Sequence, residues 1–255
     1  MRSLLATMRT AMSSATTNRR GLTFAVTVMV VNDAAWVAFW VLFFRRTGTV
    51  RGWDRDSVVL LLAVLTTSGG LSLGLLANAR WIGSLVTGGG LDEVLSLPVP
   101  TLAHLLVRRV EPTNLGDLVF GIGLFAVAGH PTVLRTGVFV LVVLASSALM
   151  TSFLVITGSL AFFGGRNEGG ELGFHALLLL GAYPVDVFAG TAKVLLYTVV
   201  PAAFVSSVPA RLIEAFQLRT AAGLLVVTAI FILGAHMIFA VGLRRYASGS
   251  IWSRT

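Results

Sequence analysis

The sequence predicts an all-α, polytopic membrane protein in which six helices cross the bilayer. Of its 255 residues, 56% are hydrophobic and only 12% are charged, and the mean hydropathy is +0.88. Soluble domains contain roughly a quarter charged residues. A soluble domain needs this charge for a polar surface, whereas a protein in a bilayer does not, because lipid can face apolar side chains directly. The apolar residues also gather in long runs, which short arginine-containing links separate.

Residues 1–20 are predicted to form an amphipathic helix that lies on the membrane surface. Their apolar side chains recur with a helical period, and four arginines occur with no acidic residue among them. The apolar positions are Leu4, Leu5, Met8, Ala11, Met12 and Ala15, and the basic ones are Arg2, Arg9, Arg19 and Arg20. A cleaved signal peptide fits less well, because the apolar run that follows is too long and no clear cleavage site occurs. A disordered basic tail is the other alternative.

Six apolar stretches are each predicted to span the membrane, since a spanning helix needs about 20 mostly apolar residues. They are residues 22–44, 57–78, 115–129, 136–163, 174–206 and 221–243. The third is short, and Pro184 and Pro201 interrupt the long fifth. Neighbouring helices or a water-filled cavity must satisfy the backbone groups that such breaks leave free. Residues 21–246 form one membrane domain in this interpretation, and residues 247–255 form a cytoplasmic tail.

The distribution of arginine predicts that both termini lie in the cytoplasm. Arginine is more frequent in the links on the side of the N-terminus than in the links on the other side, and cytoplasmic links are enriched in basic residues. The link at residues 45–56 is locally basic and argues for the opposite orientation. We expect a multi-pass protein of the cell membrane.

The net charge of +8 comes almost wholly from arginine, and Lys193 is the only lysine. The arginines cluster between apolar runs, which favours lipid headgroup contacts over nucleic-acid binding. A phosphate-binding loop needs a lysine after a glycine-rich turn, whereas Lys193 lies within an apolar stretch. The chain is therefore not an ATPase of that type by itself, and we expect no cofactor in it.

Two weak motifs have structural interpretations. The run Gly70-Leu71-Ser72-Leu73-Gly74 matches the serine hydrolase pattern, but within a membrane helix Gly70 and Gly74 more simply form a face for close helix packing. The four histidines are scattered without metal-ligand spacing, so no metal site is expected. His236 lies within a predicted span, where it either packs or lines a polar path.

Asp33 and Asp186 lie within predicted spans. An ionisable group at mid-membrane costs about 2.5–3.5 kcal/mol on insertion scales, so it normally faces protein or water. Both aspartates are candidates for a substrate path or a gating pair. The structural alternative pairs Asp186 with Lys193, seven residues further along the predicted helix.

Residues 88–109 are too polar and broken to span a bilayer and too apolar for a free loop. Three glycines precede a short acidic turn, two prolines end it, and a leucine-rich helix with a basic end follows. This segment should lie at the cytoplasmic surface and pack against its own bundle or a partner protein.

The segment and its surroundings resemble the ABC-2 type permeases, in particular their compact six-helix subfamily. The matching positions are Gly90, Leu91-Asp92, Leu95, Pro98, Gly116-Asp117-Leu118, Tyr183-Pro184, Pro201-Ala202-Ala203-Phe204, Pro209 and Gly242-Leu243-Arg244-Arg245-Tyr246. The order of these motifs covers nearly the whole chain. One departure is Leu97, where the family often has arginine before the proline.

The resemblance implies a permease subunit of an ABC exporter, without catalytic activity of its own. A second permease subunit, identical or related, and separate ATPase subunits that hold ATP and magnesium would complete it. Residues 91–109 would lie in or beside the coupling helix, with Leu91, Asp92, Glu93, Leu95, Pro98, His104, Arg108 and Arg109 as the candidates for coupling to the ATPase. The N-terminal helix would be an interfacial elbow helix, and residues 201–216 would form short re-entrant helices.

Two other functions are compatible with a membrane protein of this kind. A secondary transporter or channel would be expected to contain paired broken helices in two related halves, and no such symmetry is evident in the sequence. An intramembrane hydrolase would depend on the weak serine motif alone.

Overall fold

The computed structural model describes residues 2–15, 19–165 and 168–246, and these residues form helices and no β-strand. The predicted cytoplasmic tail, residues 247–255, lies outside the described residues. The α-helices are α1 (Arg2–Ala15), α2 (Arg19–Thr47), α3 (Arg55–Gly69), α4 (Asn78–Thr87), α5 (Asp92–Leu95), α6 (Thr101–Val107), α7 (Leu115–Ala128), α8 (Val133–Ser159), α9 (Ala161–Gly164), α10 (Glu168–Gly181), α11 (Gly190–Thr198), α12 (Val208–Glu214) and α13 (Leu218–Arg245).

Four apolar helices of the described chain are long enough to cross a bilayer by themselves: Arg20–Thr47, Arg55–Leu75, Val133–Gly164 and Leu218–Arg245. Two further pairs reach that length only together. Thr101–Val107 and Pro112–Ala128 are bent by 72°, and Gly190–Thr198 and Ala203–Glu214 are bent by 69°. The protein is therefore an all-helical membrane protein with four to six spans.

The fifth predicted stretch, residues 174–206, is several short elements rather than one interrupted helix. α10 ends at Gly181, a 3₁₀ turn covers Val185–Val187, and α11 begins only at Gly190. Pro184 lacks a backbone N–H and disfavours helical geometry in the residue before it, which ends the helix there.

The core lies around α3 and α8, which are largely buried, whereas α2 and α13 expose most of their apolar side chains. α3 packs against α7 and α8, and α13 packs along α8. Leu61 on α3 and Leu149 on α8 are fully buried in this contact. The exposed faces of α2 and α13 suit lipid or another subunit, because a bilayer tolerates apolar surface.

A tight turn fixes the start of α3. Arg51 and Gly52 both have positive φ angles, of 50° and 79°, and Val50 and Trp53 exchange two backbone hydrogen bonds of 2.9 Å. This is the geometry of a two-residue hairpin turn, for which glycine is well suited. The Asp54 side chain then accepts a hydrogen bond of 2.8 Å from the Ser57 backbone N–H and caps the helix.

Candidate functional site

The coupling segment, as we name residues 91–109, consists of α5 and α6 with two prolines between them. Leu91 and Val94 are fully buried, whereas Leu95 and Leu97 are 42% and 44% exposed. The segment thus fixes itself to the bundle through one side and presents two leucines on the other. Leu91 is fully buried and His104 is 8% exposed, so most of the surface of the predicted set belongs to its other members.

An ion pair between Arg108 and Glu93 joins the end of α6 to α5. It holds the two short helices together across the prolines. Arg109 instead pairs with Glu111, at 2.6 Å, and its guanidinium lies 4.6 Å from the centre of the Trp81 ring. Asp92, Glu93, Pro98 and Arg109 are exposed.

α1 packs against α6, and together with α5 it borders a groove of about 680 Å³. Glu93, Leu97, His104 and Arg108 line the groove opposite Thr7 and neighbouring residues of α1. The N-terminal helix and the coupling segment therefore form one surface feature.

Three hydrogen bonds tie this surface feature and the residues that follow it to the membrane helices. The Asn78 side chain donates to the Leu105 carbonyl at 2.8 Å, which joins α4 to α6. The Glu111 backbone N–H donates to the Gly74 carbonyl at 2.8 Å, and the Asn114 side chain donates to the Leu73 carbonyl at 3.1 Å. Both of these acceptors belong to Gly70–Leu75, a π-helical turn that continues α3.

A cavity of about 480 Å³ lies above this π-helical turn, between α2, α3, α7 and α10. Asp33 on α2 and Asp117 in the first turn of α7 both line it, and each is only 8% exposed. The other polar residues that line it are Asn32, Thr66, Arg80, Asn114 and His175. The cavity has the size of a small-molecule site.

Asp186 lies apart from this cavity and is held by other side chains. Lys193 Nζ lies 2.6 Å from Asp186 Oδ1, and the Trp53 indole N–H donates to Oδ2 at 2.9 Å. The Arg51 guanidinium donates to the Asp186 carbonyl at 2.8 Å. The partner expected under the structural alternative is present, although α10 and α11 are separate helices and the pair spans the break between them.

The remaining predicted residues occupy different environments. His236 is exposed on α13 and lines no part of the cavity. A β-carbon on Gly70 would lie 2.5 Å from the Leu118 backbone nitrogen, and one on Gly74 would lie 2.8 Å from Leu115 Cδ2, so both glycines are points of close contact with α7. Ser72 is fully buried, and its hydroxyl shares a 2.7 Å hydrogen bond with Thr151.

Sequence reasoning missed Asp117 and Arg80 as cavity residues and Trp53 as a partner of Asp186. From the sequence, Asp117 was interpreted only as part of the Gly116-Asp117-Leu118 motif and Arg80 only as one of the arginines between apolar runs. The unused signal for Asp117 was a charged residue in the first turn of an apolar helix, because such a group needs a polar environment. Within residues 2–15, 19–165 and 168–246, no group of three histidine, cysteine, aspartate or glutamate side chains is placed to hold a metal ion.

Apolar helices of spanning length, with bent helix pairs and a cavity among them, define the class of polytopic membrane proteins. Residues 30–250 match the ABC-2 family transporter protein family, and the chain belongs to that family. Its members are membrane transport subunits. No curated protein and no solved structure gives a significant match to the chain.

Proposed function

We propose that the protein is the permease subunit of an ABC exporter for a drug-like, amphipathic or lipid-like substrate. Separate ATPase subunits bind ATP and magnesium and drive it from the cytoplasmic side. A second permease subunit, identical or related, completes the membrane part. Membership of the ABC-2 family is the observation that carries this proposal.

The shape of the coupling segment supports a docking role. Leu95 and Leu97 are exposed beside the exposed carboxylates of Asp92 and Glu93, so the segment presents apolar and acidic side chains together. Leu91 and Val94 fix the same turn to the bundle. A force applied to the exposed side is therefore passed to the bundle rather than absorbed by a loose loop.

The hydrogen bonds beyond the segment provide a route to the cavity. Asn114 contacts the Leu73 carbonyl, and both residues also line the cavity. Asp117 lies less than one helical turn after Asn114. Displacement of the coupling segment would thus move cavity-lining groups directly, which is what an alternating-access cycle requires.

A secondary transporter is the alternative, and the two bent helix pairs favour it, because broken helices often form ion sites in such proteins. One of these bends, however, lies between α6 and α7, beside the coupling segment. The two proposals differ in energy source.

The test is transport by the purified protein in vesicles, with and without a co-expressed ABC ATPase subunit. We expect the ATPase to co-purify and uptake to require ATP hydrolysis. Transport by the chain alone, driven by an ion gradient and abolished by an ionophore, would establish the alternative instead.

Two substitutions locate the docking surface. Leu95→Asp and Leu97→Asp should each reduce ATPase co-purification at least about tenfold, since a buried charge at an apolar contact is costly. Leu218→Asp is the matched control, because Leu218 is an exposed leucine at the first residue of α13, far from the coupling segment. Equal co-purification with all three variants would place the docking surface elsewhere.

A further inference from the structure

Two carboxyl groups in the cavity each have one buried oxygen without a hydrogen bond, and no ion pair in the described residues involves either group. Asp33 Oδ2 and Asp117 Oδ1 are inaccessible to solvent and have no hydrogen-bond partner in the part of the chain that the structure describes. Both groups line the same cavity. Burying ionised carboxylates without partners costs several kcal/mol or more by general estimates, so a bundle that keeps two of them needs a proton or a bound cation to compensate the charge.

Arg80 lines the same cavity but is engaged by aromatic rings. Its guanidinium carbon lies 3.9 Å from the centre of the Phe174 ring and 5.3 Å from that of Trp81, an arrangement that stabilises the cation by itself. With both carboxyl groups ionised, the charges of Asp33, Asp117 and Arg80 sum to −1 (−2 from the aspartates and +1 from the arginine). One further positive charge neutralises the site.

Most of the cavity lining is apolar. Its walls include Leu62 and Leu65 of α3, Leu178 and Leu179 of α10, and Trp36 of α2. A small inorganic cation would leave these walls without contact. A ligand with one positive centre and an apolar body would neutralise the charge of the site and contact its apolar walls.

The cavity has a neighbouring groove on the exposed side of α2. Asn32 and Trp36 line both the cavity and this shallower groove of about 290 Å³, which Phe39 and Tyr183 also border. The groove lies on an apolar span. Asn32 and Trp36 therefore mark the place where an amphipathic molecule dissolved in the lipid would enter the cavity.

We propose that this cavity binds a monovalent amphipathic organic cation, with its charged centre at Asp33 and Asp117 and its apolar body against Trp36 and the leucines of α3 and α10. The proposal rests on the transport role proposed above and specifies its substrate class. In this proposal Asp33 binds the charged centre of the substrate rather than being an isolated polar group in a span, and Asp117 has the same role.

The test compares two lipophilic ions of similar size and shape and opposite charge. Binding of tetraphenylphosphonium and of tetraphenylborate to the purified full-length protein in lipid nanodiscs is measured by equilibrium dialysis. We expect saturable binding of the phosphonium and no saturable binding of the borate. Equal affinity for both ions, or saturation by sodium ions without competition by the phosphonium, overturns the proposal.

Asp33→Asn and Asp117→Asn should each weaken phosphonium binding at least about tenfold, and Asp56→Asn, at an aspartate beside the Arg55 that begins α3, should leave it unchanged. Full phosphonium affinity in the double variant overturns the proposal. If thermal unfolding shows that the variants do not fold, the comparison of the two ions on the unsubstituted protein still tests the proposal.

The binding measurement requires neither ATPase nor transport. If the protein transports with ATP but shows no saturable phosphonium binding, the proposed cation site is wrong and the proposed permease role stands. If the protein binds the phosphonium but needs no ATP for transport, the proposed permease role is wrong and the cation site stands.

Discussion

The backbone nitrogen of Leu118 lies 2.5 Å from the point that a β-carbon on Gly70 would occupy. Backbone atoms cannot rotate away as a side chain can, so Gly70→Ala must push α3 and α7 apart. Overpacking of this kind costs about 1–3 kcal/mol, and we expect a lower melting temperature in detergent. Gly69→Ala is the control, because a β-carbon there meets nothing within 4 Å. Identical melting temperatures for the two variants would contradict this account of the helix contact.

Arg211 is predicted to be a main stabilising residue of the end of the bundle where α3 begins. Its guanidinium donates to the Gly52 carbonyl at 2.6 Å, pairs with Glu214 at 2.9 Å and lies 4.0 Å from the centre of the Trp53 ring. A lysine cannot reproduce this planar set of contacts. Arg211→Lys should lower the melting temperature measurably, whereas Arg219→Lys, at an exposed position on α13, should not. A stable Arg211→Lys protein would mean that the contacts are not maintained in the membrane.

Asp186 and Asp33 should respond oppositely to the same chemical change. Asp186→Asn weakens the contacts to Lys193 and Trp53, so we expect reduced thermal stability with unchanged substrate preference. The effect should be small, because the Asp186 and Lys193 side chains are 35% and 39% exposed and water screens the pair. Asp33→Asn should alter substrate preference with little loss of stability. Parallel transport and melting measurements on the two variants test this, and a changed substrate preference in Asp186→Asn would place that residue in the substrate path.

The cap of α3 should make stability depend on pH. The Ser57 backbone N–H holds the pKa of Asp54 below its ordinary value of 3.8. Because the folded-state value is lowered, this contribution is present above about pH 4 and is lost as the pH falls through the folded-state pKa. Asp54→Ala should cost about 1 kcal/mol at pH 7. The difference from the unsubstituted protein should shrink in melting curves recorded at pH 3, and a pH-independent difference would argue against the cap.

Long apolar runs made the four long spans predictable, because period and length suffice for such helices. Asp33 was also predictable, since an ionisable residue inside an apolar run requires protein or water around it. The contribution of Asp117 to the cavity was not predictable. It arises from the packing of α7 against α2, and 83 residues separate Asp117 from Asp33. The structural alternative paired Asp186 with Lys193 because the two would lie two turns apart on one helix. They do pair, but a helix break separates them, so the contact was predicted correctly and the helix geometry behind it was wrong.

The π-helical turn at Gly70–Leu75 makes the protein sensitive to a change in the length of its sequence at this point. A π-turn contains one more residue than an α-turn, and one residue corresponds to about 100° of rotation in an α-helix. Deleting a single codon here would restore ordinary helical winding and turn the carbonyls of Leu73 and Gly74 away from Asn114 and Glu111. A change in the length of this turn therefore severs the connection between the coupling segment and the cavity in one step.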